Sequence, residues 1–156
     1  MVNQYKNEHG NNDFSHFIPL QIRFNDIDIM GHVNNAVFQH YFDYARIKYF
    51  EDVFGEPLCW DKITLILAGI NIDFIHPVHI YHEIGVFSKT TLLGNKSLQM
   101  IQEVHKLPEN KKMAFSQVAL VAYNVPAGNS VTIPDSWKQD IINFERKVEF
   151  KYSQKH

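Results

Sequence analysis

The chain is predicted to be an α+β protein, an antiparallel sheet covered by one long helix, and three observations predict it. Apolar residues recur at spacings of four, three, four and four at Phe38, Phe42, Ala45, Tyr49 and Val53, which is the period of a buried helix face. Five other runs alternate apolar with polar residues, the period of a strand that has one wet face. Strand and helix patterns do not alternate as βαβ units along the chain, so a parallel doubly wound sheet is not expected.

The elements follow in order. Residues 1–14 include four Asn and almost nothing to bury, and are expected to form a loose arm. Between His16 and Phe24, Leu20, Ile22 and Phe24 alternate with Gln21, Arg23 and Asn25, a strand in which Pro19 marks a start or an edge. The helix runs from Asn34 to Phe54. Asn34 or Asn35 can cap it, and Gly55 and Pro57 stop it. Val37, Tyr41 and Tyr44 widen its apolar stripe, so burial over much of its circumference is expected. At about 1.5 Å per residue it spans about 28 Å, enough to cross a small domain.

Four more strands are expected at Ile63–Ile75, Tyr81–Leu93, Ser97–Lys106 and Lys112–Asn124. The last of these is read with Met113, Phe115, Ala119, Val121 and Tyr123 as its apolar face. Gly94-Asn95 and Pro108-Glu109-Asn110 stand where tight reversals belong, which makes the last three strands a meander. Trp137, Ile141, Phe144 and Val148 then mark a shorter helix, with Ser136 and Gln139 at capping-box spacing. Residues 15–150 are taken as one domain and 151–156 as a tail.

At 156 residues with 45% hydrophobic and 21% charged side chains, the chain has room for one core, which needs neither a disulfide nor a structural metal. Fifteen Lys and Arg stand against seventeen Asp and Glu, so neither nucleic acid nor an anionic membrane surface is an expected partner. No apolar stretch reaches the roughly 18 residues that would span a bilayer. The first residues are polar and lack the apolar core of a secretory signal, so a cytoplasmic location is expected. The single Cys59 cannot form an internal disulfide and is expected to be a small buried apolar residue.

Phosphate-loop, serine-esterase, dinucleotide and H-E-x-x-H patterns are all missing. Asp26-Ile27-Asp28-Ile29-Met30-Gly31 opens like a calcium loop, but Met30 stands at a ligand position and Val37 replaces the closing Glu. His76, His79 and His82 form an H-x-x-H-x-x-H series. On a strand His79 would point away from the other two, so no metal site is expected there.

The segment from Phe24 to Asn35 leads from a strand end through a loop into the long helix, and the sequence points to chemistry here. The unpaired N–H groups of a helix start carry about half a positive charge and can receive a carbonyl oxygen. Asp28 lies six residues before Asn34, with Gly31 turning the chain between them. A carboxylate and oxyanion donors facing one carbon suit acyl transfer to water, with the Asp attacking or acting as base. Simple turn and helix capping by Asp26, Asp28 and Asn34 is the alternative.

F-N-D-I-D-I-M-G-H-V-N-N-A-V-F-Q-H-Y-F-D-Y-A-R resembles the signature of the 4-hydroxybenzoyl-CoA thioesterase-like acyl-CoA thioesterases, which have the hotdog fold. Ile72-Asp73-Phe74-Ile75-His76-Pro77-Val78 is similar to the end of that family's second strand, and the likeness covers residues from about 16 to 150. It implies a five-stranded antiparallel sheet wrapped around one long helix, plus a C-terminal helix. It implies that Asp28 is nucleophile or general base, that a backbone N–H near Asn35 or Ala36 polarises the thioester carbonyl, and that Asn34 stands at the substrate. Phe38, Tyr41 and Phe42 from one protomer, with Phe74 and His76 from its partner, are implied as acyl-pocket walls. Asp43, which precedes Ala45-Arg46 on the helix, is an alternative carboxylate. The likeness also implies an acyl-CoA substrate, no metal or redox cofactor, and a homodimer with shared sites that pairs into a homotetramer.

Plant acyl-carrier-protein thioesterases share D-x-x-x-H-V-N-N and use its His, which makes His32 a candidate helper. They place an Asn two residues after the Asp, where this chain has Met30. That departure weakens the carrier-protein version, and a module that binds acyl-CoA without turning it over is the other alternative. The aromatic residues along the helix lean towards a short or ring-shaped acyl group.

Overall fold

Asn34 starts the long helix by accepting a 2.9 Å hydrogen bond from the Ala36 N–H on its side-chain oxygen. Helix α1 then runs Asn35–Phe54 and ends at Gly55, whose left-handed φ of 72° only glycine adopts without strain. Residues 13–150 are described by the computed structural model, so the tail and all but two residues of the expected arm lie outside the described residues. Of those two, Asp13 is exposed and Phe14 is not part of a loose arm, because it is buried against Phe87 and Phe17. The predicted face of α1 is buried, and Tyr41, Arg46 and Phe50 join it. On the other flank the stripe is narrower than expected, since Val37 is half-buried and Tyr44 is 49% exposed.

The strands are β1 (His16–Leu20), β2 (Ile63–Phe74), β3 (Glu83–Leu93), β4 (Ser97–Leu107) and β5 (Lys111–Asn124), in spatial order β1-β3-β4-β5-β2 and all antiparallel. Strands β3, β4 and β5 form the expected meander. After α1 the chain crosses to the far edge, where β2 pairs with β5 from Ile63↔Asn124 to Phe74↔Ala114. Strand β1 occupies the opposite edge, which is why Pro19 is tolerated in it. It stops at Leu20 instead of Phe24, because residues Phe24–Asp26 turn into a 3-10 helix whose Asp26 carboxylate accepts the Arg23 N–H. Two short strands, β6 (Asn129–Ser130) and β7 (Glu149–Phe150), pair with β5 and β3.

One face of this sheet wraps α1. Ile84 and Val86 of β3, Val104 of β4 and Ala114 of β5 pack on Phe38, Phe42 and Ala45. Leu98, Met100, Val118, Leu120 and Ala122 pack on Tyr49, Phe50 and Val53. The core-facing residues of β5 are therefore the even-numbered ones, not the odd set read from the sequence. Small side chains at Ala114, Ser116 and Ala122 make room for the helix aromatics, while Phe115, Val121 and Tyr123 are half-buried on the outer face. A register shift between Val104 and His105 adds Met113 to the buried set.

The second helix, α2 (Asp135–Phe144), begins after Pro134 and stacks Trp137 on Phe54 at 4.8 Å. Ser136 lies inside its first turn, so the expected capping box does not form, and Val148 lies beyond its end. Cys59 is exposed, which corrects the expectation of burial. No helix among the described residues is long and apolar enough to cross a membrane.

Glu145, just past α2, is buried and satisfies three donors: the Ser15 hydroxyl, the Tyr49 hydroxyl at 2.5 Å and the Thr90 N–H at 2.8 Å. Glu145→Ala is expected to destabilise the fold by about 2–3 kcal/mol, because it strands buried donors. Urea unfolding would check this, and a loss under about 0.5 kcal/mol would show that those donors find other acceptors.

Candidate active site at the start of the long helix

The loop between the 3-10 turn and α1 is a small closed structure. Ile27 bridges Val33, the Asp28 N–H donates to His32 O at 2.9 Å, and the Gly31 N–H donates to Asp28 O at 3.0 Å. Gly31 has φ 79°, the left-handed geometry this tight reversal requires. The loop is tied to its neighbours at two points: the Asn34 N–H donates to Asp26 O at 2.8 Å, and the Val33 N–H donates to Val78 O at 2.8 Å.

Asp28 is half-buried and its Oδ1 accepts the Met30 N–H at 2.9 Å. The residue whose side chain offers no donor thus orients the carboxylate through its backbone. Asp28 lines an open cleft of about 510 Å³ together with His32, Asn34, Asn35, Phe38, Phe74 and His76. Phe38 and Phe74 meet edge to face at 5.4 Å within one chain, which gives the cleft an aromatic floor. The predicted residues Asp28, His32, Asn34, Asn35, Phe38, Phe74 and His76 are therefore brought together, with Phe74 and His76 supplied by the same chain as Phe38 where a partner protomer was expected to supply them.

Four others are not. The Ala36 N–H is occupied by the Asn34 side chain, so it is not a free donor, and Asn35, the first residue of the helix, lines the cleft. Phe42 is fully buried beneath the helix, in contact with the sheet. Tyr41 turns to the opposite side of the loop, where its hydroxyl donates to Asp26 Oδ2 at 2.6 Å. Burial first, and then that bond to the carboxylate, raises the Tyr41 phenol well above its ordinary value. Asp43 lies further along α1, paired with Arg46, beside a separate cavity of about 470 Å³ lined by Phe50, Leu58, Trp60 and Leu65.

Sequence reasoning offered Asp26 only as a turn cap and missed its bond to Tyr41, on the side of the loop away from the cleft. Its carboxylate accepts from the Arg23 N–H and from Tyr41, and its carbonyl accepts from Asn34, so one residue fixes the loop's entry to the helix start. No local spacing marks the pairing, because Tyr41 reaches it only through the docking of α1. His76, His79 and His82 lie in the loop between β2 and β3 and not on a strand, and among the described residues no group of three or more His, Cys, Asp or Glu is arranged to hold a metal ion.

A family model described as the thioesterase-like superfamily matches residues 22–141. The chain belongs to that superfamily. As a thioesterase-like protein with the hotdog fold, it is similar to a thioesterase from Thermus thermophilus solved with coenzyme A and zinc, at 27% identity and a TM-score of 0.76, covering 87% of this chain and 98% of that one. The 1,4-dihydroxy-2-naphthoyl-CoA thioesterase of Synechocystis shares the fold at 19% identity and a TM-score of 0.71, covering 80% of this chain and 93% of that one. The uncharacterised protein YsmA of Bacillus subtilis is 28% identical over 134 residues, 83% of this chain and 87% of YsmA.

For this thioesterase-like protein the Asp26–Tyr41 bond makes a specific prediction. Tyr41→Phe is expected to cost about 1 kcal/mol, and Asp26→Ala about 2 kcal/mol because it leaves the buried phenol without its acceptor. Denaturant unfolding of both variants measures the difference, and equal costs would show that the carboxylate does not hold the loop.

Proposed function

We propose that this chain is an acyl-CoA thioesterase, hydrolysing a CoA thioester to a carboxylic acid and free CoA. The observation that carries the reading is that the Asp28 carboxylate and the Asn35 end of α1 line the same cleft. In the proposed step the thioester oxygen rests at the Asn35 N–H and the positive end of the helix. One such preorganised donor lowers the barrier by about 3–4 kcal/mol.

Asp28 either attacks the carbonyl carbon, forming a mixed anhydride that water then hydrolyses, or removes a proton from the water that attacks. In both routes the C–S bond breaks, the electron pair leaves on sulfur, and the thiolate takes up a proton. Water is the only co-reactant required, and we propose no metal or redox cofactor. His32 stands in the cleft as a helper for that proton transfer, and the Phe38–Phe74 floor favours a short or ring-shaped acyl group. The coenzyme A bound in the Thermus thermophilus relative supports the choice of thiol carrier. A cytoplasmic homodimer with shared sites, paired into a homotetramer, completes the proposal.

A panel of acyl-CoA substrates with a thiol reagent tests it. Asp28→Asn is expected to lower kcat/KM by about a hundredfold or more, and a wild-type rate no higher than that of the variant would sink the assignment. Asn34→Asp is a finer test. The carboxylate caps as well as the amide, so stability is kept or gained by about 0.5 kcal/mol. It also puts an anion where the oxyanion develops, so kcat is expected to fall at least tenfold. An unchanged kcat would mean that no negative charge builds up at the helix start.

A further inference from the structure

Beside the cleft, three imidazoles stack in a row, of which the chemistry above uses only the first, His32. The ring of His32, on the cleft wall, meets His79 edge to face at 4.9 Å, and His79 meets His82 in the same way at 5.1 Å. The row is fixed by hydrogen bonds. His79 Nδ1 lies 3.3 Å from Gly31 O, and the His79 backbone N–H donates to His82 Nδ1 at 3.2 Å. That second bond keeps His82 Nδ1 as an acceptor, so Nε2 carries the proton and acts as the donor.

The row ends at the β4–β5 hairpin, whose strands place Lys106 opposite Lys111. Lys106 is tied to Glu109 at 2.9 Å, whereas Lys111 is exposed and has no ion-pair partner among the described residues. The groups that act on His82 are Lys106, Lys111, His79 and Glu109, with Glu83 next to it in sequence. Burial, then Lys106 and His79, hold its imidazole below the ordinary value.

In a chain with two more acidic than basic residues, the row thus leads from the cleft wall at His32 to an imidazole N–H donor on His82 and to the lysines of the hairpin. We propose that His79, His82 and Lys111 form a phosphate-binding rim that holds the phosphorylated end of the pantetheine carrier while its thioester lies at Asp28. This deepens the thioesterase reading and rests on it. Phosphate takes N–H and N⁺–H donors together, and the His82 Nε2–H and the Lys111 ammonium are donors of those two kinds. The phosphate could belong to CoA or to the phosphopantetheine arm of a carrier protein, and the two share this chemistry.

The test compares three thioesters of one acyl group: acyl-CoA, acyl-phosphopantetheine and acyl-pantetheine, which carries no phosphate. The double variant His82→Gln, Lys111→Gln is expected to raise KM for acyl-CoA about tenfold, leaving kcat and the KM for acyl-pantetheine within about twofold. Glu109→Gln frees Lys106 and is expected to lower KM for acyl-CoA. If acyl-phosphopantetheine shows the full effect, the rim grips the phosphate common to both carriers. If only acyl-CoA shows it, the rim grips the nucleotide phosphates. Equal KM values for acyl-CoA and acyl-pantetheine in the wild type, or equal losses in the variant, would overturn the proposal. Calorimetry of CoA against pantetheine separates this from the reaction itself. A wild-type preference for CoA that the double variant loses upholds the rim even if no thioester is cleaved, and the lack of any such preference refutes it.

Discussion

The structure depends on burying a 20-residue aromatic helix against a single sheet face. The outer face of the sheet carries only a small buried cluster around Phe17 and Phe87, so its main apolar face must curve around the helix, and the helix must run along its full length. Wherever such a helix begins, its first N–H groups emerge unsatisfied at the edge of the domain. The loop before it therefore has two tasks: to cap the helix and to hold the chain leading into it. Asn34 does the first and Asp26 the second, through the Asn34 N–H and the Tyr41 hydroxyl. The backbone of Asp28, two residues on, helps close the loop, but its carboxylate has one hydrogen bond, from the Met30 N–H.

Burying that helix also forces polar groups inward, and each is answered. Arg46 donates to Gln102 Oε1 at 3.0 Å, and the Gln102 amide donates in turn to Phe42 O and Ser88 Oγ, both at 3.0 Å. Burial draws the Arg46 guanidinium below its ordinary value, and its pairing with Asp43 opposes that. Removing one member of such a network exposes the others to a full desolvation cost. The Asp43 carboxylate is therefore part of the support for Arg46, which accounts for its distance from the cleft. On the outer face, His105 is held between Glu103 at 2.7 Å and Asn110, with Lys112 on the second Glu103 oxygen at 2.5 Å. Burial raises the Glu103 carboxyl, but the bonds from His105 and Lys112 outweigh it and hold the group below the usual range.

Periodicity made the long helix legible because every fourth or third residue from Phe38 to Val53 meets the sheet, and the meander was legible because Gly94 and Pro108–Asn110 punctuate it. The face of β5 was not. Alternation there places large residues on both sides, and which side is covered depends on the bulk of α1, a partner some 70 positions away in sequence. The same holds within the site. Loop and helix start were readable from the order of Asp28, Gly31 and Asn34. The parting of Phe38 from Phe42 and Tyr41 is set by the angle at which α1 docks. Ser136 fell inside α2 for a more local reason: Pro134 already provides the fixed backbone geometry that opens the helix, so the side-chain cap was not needed.

The choice of a neutral cap ties these threads together. Asp and Asn cap equally well, and the helix field would favour Asp. An anion at Asn34 would cancel the positive end of α1 at the point where, in the proposed reaction, a carbonyl oxygen gains charge. An amide there satisfies Ala36 without that cancellation and leaves Asn35 facing the cleft. The negative charge is displaced to Asp28, where a backbone bond from Met30 holds it on the loop and keeps it from folding onto the helix end. Separating the two, a carboxylate on one wall and an uncancelled helix start on the other, polarises the cleft across the few ångströms in which a thioester would lie, and neither charge is spent neutralising the other.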